Sequence, residues 1–192
     1  FVFAYPIDVE SIYSDGVIDE FEIESVLKDC GDVIIFTAPG LEYLELTPYT
    51  FGAIKNTQKP LRFVFEEGQL DITAKVFAAL AKPLKTLAFT ATSADDTAKS
   101  RIVDLAVERN LKLSSEAFFE AGVMREGVYT SLSLPVDLKL SKGGVSKTNE
   151  TKLLCIEEDD YITANAFTYH DDTIEAAVKN FGLFTLAEVS NE

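Results

Sequence analysis

Few side chains in this chain could carry bond chemistry. The 192 residues hold two cysteines and one histidine. Thiols do redox or metal work through close partners, and Cys30 and Cys155 match no metal or redox spacing. Free cysteines of this kind are commonly small core residues. His170 stands beside Asp171 and Asp172, where a catalytic or metal role would need a Cys or Ser partner or more ligands. It reads as a solvated turn residue. Glu157, Glu158, Asp159 and Asp160 are four consecutive carboxylates, the hard oxygen donors that calcium takes. They lack the spacing of an EF-hand loop and lie between two strand-like runs, as a hairpin turn would. Asn149-Glu150-Thr151 is an N-glycosylation acceptor and points to the secretory route. Gly143-Gly144 follows no strand and belongs to the polar loop SKGGVSKTNE, so no phosphate cradle is expected. The expectation is a chain without cofactor and without a catalytic constellation.

Charge narrows the partners. Against 32 acidic residues stand 17 basic ones, a net charge of −15, and phosphate binding needs clustered Lys and Arg. Nucleic acid is excluded as a partner class; calcium, basic partners or simple solubility remain. A hydrophobic fraction of 47% with 14 Phe can fill a core, which argues against disorder. The apolar runs fall short of the ~18 residues that a membrane span needs. No charged n-region precedes an apolar h-region, so the chain reads as mature, truncated or cytosolic.

The elements that would position these residues follow from periodicity. FVFAYPI, residues 1–7, has the composition of a buried strand, and Ser11 to Val17 reads as a second, turned at Asp15-Gly16. Ile23, Val26, Leu27 and Cys30 then fall at i, i+3, i+4 and i+7, opened by Asp19 with Glu22 as a capping box and closed by Gly31. At the far end LLCIEE and YITANAF read as strands. Ile174, Ala177, Val178 and Phe181 repeat the helical spacing between an Asp172/Glu175 box and Gly182. The pattern predicts one ββα unit used at both ends. Between them LEYLEL predicts a strand, with Thr47 as N-cap and Pro48 at the first position of a short helix through Phe51 and Ile54. LRFVF predicts a strand over 61–65, and Asp71 opens a helix with Ile72, Val76, Phe77 and Leu80 inward, ended by Pro83. LKTLAFTA is a strand over 84–91, and Asp95 or Asp96 opens a helix bearing Ile102, Leu105 and Ala106. Near-continuous apolar strands separated by helices predict an α/β fold, a mixed sheet with helices on both faces. In residues 114–150, SSEAFFEAGVMREGVY reads as helix then turn, YTSLSLPVDLKL as an exposed strand, and SKGGVSKTNE as an exposed loop.

From residue 41 the order is βα, βα, βα, an insert and ββα, the order of a thioredoxin fold. LEYLELTPYTFGAIKNTQKPLRFVF followed by DITAKVFAALAKPLKTLAF resembles the non-catalytic thioredoxin-like domains of the protein disulfide isomerase family. There a strand runs into an acidic residue, Thr-Pro, an aromatic and a short helix, then a Pro-Leu-initiated strand. LLCIEEDDYITANAF with its capped helix is similar to the last ββα of such a domain. The resemblance implies that residues 1–31 are the C-terminal ββα part of a first thioredoxin-like unit. Residues 41–187 would be a thioredoxin-like domain with an insert at about 114–150. The second unit is longer than such domains. Pro135 is its one candidate for the proline before the fourth strand, which would make LLCIEE an extra strand.

The catalytic signature of the family is a Cys-x-x-Cys pair at the start of the first helix, where the helix N-terminus lowers a thiol pKa. Thr47-Pro48-Tyr49-Thr50 occupies that place. The resemblance therefore implies a redox-inactive module of a folding or quality-control protein, in the endoplasmic reticulum lumen or secreted. It would bind unfolded or client polypeptide, or position neighbouring domains. In the peptide-binding domains of the family an apolar groove lies between the first and third helices. Its positions here would be Phe51, Ile54, Phe118 and Phe119, with Phe65 a strand residue of the core. Each large apolar side chain buried against a client is worth roughly 1.5–3 kcal/mol. The alternative is an acidic luminal calcium-buffering or structural protein of the same fold, holding calcium weakly at Glu157, Glu158, Asp159 and Asp160 in a salt-sensitive way. A third reading is an unrelated α/β scaffold or secreted effector.

Overall fold

The computed structural model describes residues 3–14, 17–80, 86–141, 148 and 150–189, and the elements below are those of the described residues. The chain begins β1 (Pro6–Asp8), β2 (Tyr13–Ser14), β3 (Val17–Ile18) and α1 (Glu20–Lys28). It continues β4 (Ile34–Thr37), β5 (Tyr43–Leu46), α2 (Pro48–Thr57), β6 (Leu61–Val64), β7 (Gly68–Ile72), α3 (Ala74–Leu80), β8 (Leu87–Ser93) and α4 (Asp96–Glu108). After α4 every element is a strand: β9 (Lys112–Arg125), β10 (Val128–Tyr129), β11 (Val136–Ser141), β12 (Thr151–Ile156), β13 (Ile162–Asn165), β14 (Thr168–His170), β15 (Thr173–Val178) and β16 (Gly182–Glu188).

The strands form two mixed sheets, so the class is α/β. One sheet has seven strands in the order β1-β4-β6-β7-β11-β15-β14. The other has nine, running β13-β12-β16-β9-β8-β5-β3-β2 with β10 paired to β9. β1, β4 and β6 are parallel neighbours, as crossovers through α1 and α2 allow. The rest of the seven-stranded sheet is antiparallel.

One core joins the two sheets. Phe63 of β6 stacks on Phe89 of β8 at 4.1 Å between ring centroids and on Phe36 of β4 at 5.5 Å. Phe77 of α3 stacks on Phe51 of α2 at 4.5 Å and reaches Phe89 at 6.4 Å. Four of these rings are fully buried and Phe51 nearly so, each worth roughly 1.5–3 kcal/mol in apolar burial. The outer faces differ. Ile102 and Leu105 of α4 cover Ile156, Leu183 and Phe118 on the outside of the nine-stranded sheet. On the seven-stranded sheet the described strand positions that alternate with the buried ones are half-buried or exposed.

The caps form where the sequence places them. Asp19 Oδ1 accepts the Phe21 N–H at α1, Thr47 Oγ1 accepts the Thr50 N–H at α2, and Asp95 Oδ1 accepts the Ala98 N–H at α4. Four expectations change. The helix opened by Asp71 starts later: Thr73 Oγ1 accepts the Val76 N–H, while Asp71 and Ile72 end β7. The segment 114–125 is the long strand β9, because Phe119, Ala121 and Val123 alternate into the core. The helix expected from Asp172 to Phe181 is the strand β15. Asp171 and Asp172 both take positive φ, 46° and 64°, the geometry of a type I′ turn, and His170 pairs with Thr173 across it. Ile174, Ala176 and Val178 then alternate inward, so the two ends of the chain are not one unit repeated. Finally, residues 1–31 do not stand apart as a half-domain. β1 pairs with β4, and Val9, Ile18, Ile23 and Cys30 join the common core cluster. Pro83 and most of the loop after β11 fall outside the described residues.

Candidate functional site

The start of α2, where the resemblance would place a redox pair, is a closed cap. The hydroxyls of Thr47 and Thr50 meet at 3.3 Å, and Thr50 is fully buried. The groove expected beside it is not an open surface. Phe51 and Ile54 are buried at 7% and 1% exposure, Phe119 at 4% and Phe65 at 5%. Phe51 and Ile54 are core because α2 turns its apolar stripe into the space between the sheets, where Phe119 of β9 and Phe65 after β6 also pack. Phe118 faces the other way on β9 and is half-buried beneath α4.

Both cysteines are buried and outside any disulfide. Cys30 is buried, its Sγ donating to the Leu27 carbonyl at 3.2 Å with the Lys59 ammonium 3.7 Å away. Cys155 is fully buried on β12, and burial first, then the charge of Glu157, pushes its pKa up to about 12. A thiol in that state is a poor nucleophile.

The acidic run is the turn between β12 and β13. The Glu157 N–H bonds to the Tyr161 carbonyl and the Asp160 N–H to that of Glu157, with Asp160 at φ 63°. Its cation is internal. Arg101 of α4 donates to Asp160 Oδ1 through Nε at 3.0 Å and Nη2 at 2.7 Å, and through Nη2 to the carbonyls of Glu157 at 2.6 Å and Glu158 at 3.2 Å. Among the described residues no three His, Cys, Asp or Glu side chains converge on a metal position. His170 lies at the exposed β14–β15 turn with Nδ1 2.9 Å from Asp171. Asn149 lies outside the described residues.

A depression lies elsewhere, on the outward face of the seven-stranded sheet. It encloses about 510 Å³ and is lined by Asp71, Asp137, Lys139, Glu175 and Ala177 of β7, β11 and β15, and by Ala166, Phe167 and Thr168 where the chain crosses from β13 to β14. Register explains its make-up. One cross-strand row reads Arg62, Asp71, Asp137, Ala177, and the next reads Val64, Gln69, Lys139, Glu175, Thr168. Arg62 holds Asp71 through Nε at 2.7 Å and Nη2 at 3.2 Å, and the Gln69 amide donates to both Asp71 oxygens. That bond raises the Arg62 pKa against its partial desolvation. Lys139 lies 3.4 Å from Glu175.

None of the residues of this groove was read as a site residue from the sequence, where Asp71 and Glu175 serve as helix caps and Ala177 as part of a helical stripe. The alternation in VDLKLS does put Asp137 and Lys139 on one face, but reading TIEAAV as helix hid Glu175 and Ala177 from that face. No family model matches the chain, and no curated protein matches it.

Proposed function

We propose that this chain is a redox-inactive module that works by holding a segment of another polypeptide, a client or a neighbouring domain, on the bare face of its seven-stranded sheet. The observation that carries the reading is the groove of about 510 Å³ across β7, β11 and β15, where exposed Ala166 and Ala177 leave room for incoming side chains. Protein-binding surfaces of this kind pair apolar floor with polar rim. Two features support the redox-inactive part: the hydroxyl cap at α2 and the buried, protonated thiol of Cys155.

The likeness to thioredoxin-like domains of the protein disulfide isomerase family has support from residues 43–64 in element order alone, since β5 and β6 lie in different sheets. There the strand, the Thr47-Pro48 cap, the helix and the next strand form in the expected order. It has none from the C-terminal region, where β15 replaces the closing helix. The reading keeps the binding role and the luminal or secreted setting that the likeness implies, and moves the site from between the helices to the sheet.

The test is a titration of isotope-labelled protein with a Cys-free unfolded polypeptide. Shifts are expected at Asp137, Lys139, Glu175 and Ala177, and their loss in Ala177→Trp, which fills the groove at an exposed position. Undiminished binding by that variant would sink the reading.

A further inference from the structure

We infer that the groove accepts a lysine or arginine side chain of an extended partner segment, with Asp137 as its counter-ion; the inference rests on the polypeptide-binding reading above. The charges of the two cross-strand rows nearly cancel. Arg62 is spent on Asp71 and Lys139 on Glu175. Asp137 is exposed, and among the described residues no cation reaches it. Its direct neighbour across β7 and β11 is Asp71, and like charges directly opposite one another on a sheet are destabilising. Asp137 is thus a carboxylate with no counter-ion among the described residues.

The neighbour of Asp137 on the other side, across β15, is Ala177. An exposed methyl at that position leaves an opening against the carboxylate, walled by Ala166, Phe167 and Thr168. A lysine or arginine stem is apolar and its head is charged, which suits a floor of alanines ending at an anion. A bare metal ion suits it less, since the described residues bring no third ligand to the place. The net charge of −15 would draw basic segments toward the surface.

Two blocked pentapeptides test this, Thr-Val-Lys-Val-Thr and the same peptide with norleucine for lysine, each titrated into the described protein and followed by amide shifts. The lysine peptide is expected to shift Asp137 and Ala177 and to bind about threefold tighter than the norleucine peptide, the scale of a partly exposed ion pair. The difference should vanish in Asp137→Asn and in roughly 1 M salt. Asp137→Asn is expected to melt no lower than the parent. Equal affinity of the two peptides, with shifts in the groove, would overturn the counter-ion role and leave the binding face standing. No groove shifts from either peptide would overturn both. A lower melting temperature for Asp137→Asn would make Asp137 a structural residue and overturn the inference as well.

Discussion

The outer faces of the two sheets are built for different neighbours. On the nine-stranded sheet, β16 is buried at six consecutive positions, Gly182–Ala187, because its inner face meets the common core and its outer face meets α4. On the seven-stranded sheet, β11 alternates, with Val136, Leu138 and Leu140 buried and Asp137, Lys139 and Ser141 turned to solvent. One strand is apolar on both sides and has a helix supplied by its own chain. The other is apolar on one side and polar on the other, with a depression in the polar side. The covered face is completed by α4, whereas no described helix packs on the face that carries Asp137 and Lys139.

Substitutions separate the two. The largest effect is expected from the core that both sheets share: Phe89→Ala, by removing a ring stacked on Phe63, should cost about 3–5 kcal/mol and unfold both sheets together in a denaturant melt. Ile102→Ala removes a side chain from the smaller cluster under α4. It should cost about 2–3 kcal/mol, the lower end for such truncations, and hydrogen exchange should rise on α4 and β16 before the bare face. Arg101→Ala breaks the clamp on the turn after β12, and with 35% of that side chain exposed the loss should be near 1 kcal/mol. Arg62→Ala acts on the bare face, where 41% of the side chain is exposed, and should change stability by less than about 1 kcal/mol.

Alkali sharpens the same contrast. The folded-state pKa of Cys155 is raised, so the stability tied to its neutral thiol is fully present below 9.0, the ordinary value, and is lost as pH rises toward about 12. Tyr129, whose hydroxyl donates to Glu120 at 2.7 Å, is raised too, chiefly by burial, and adds to that loss. A melt series above pH 9 should show falling stability. Native protein at pH 8 should leave Cys155 unmodified by iodoacetamide until urea is added; rapid alkylation would contradict its burial.

The parts of the fold legible in the sequence were those with local signals. Asp19, Thr47 and Asp95 mark helix starts because a side-chain oxygen must meet a free N–H there. What escaped was decided at a distance. Ile174, Ala177, Val178 and Phe181 fit a helical stripe, yet Ile174 and Val178 also fit a period of two. The arbiter was the Asp171–Asp172 turn, which needs two positive φ angles without a glycine. Glu, Ala and Met between Ser114 and Arg125 favour helix locally, and pairing with β8 and β16 overrides them. The groove was invisible for the same reason: its two rows run across β6, β7, β11, β15 and β14, which register alone aligns.

The most direct test of the binding face is the chemical-shift map of the labelled protein during titration with a Cys-free unfolded polypeptide. Saturable shifts are expected at Asp137, Lys139, Glu175 and Ala177, with Ile102, Leu105 and Leu183 unmoved. Shifts centred instead on the exposed side of α4, at Val103 and Val107, would contradict it.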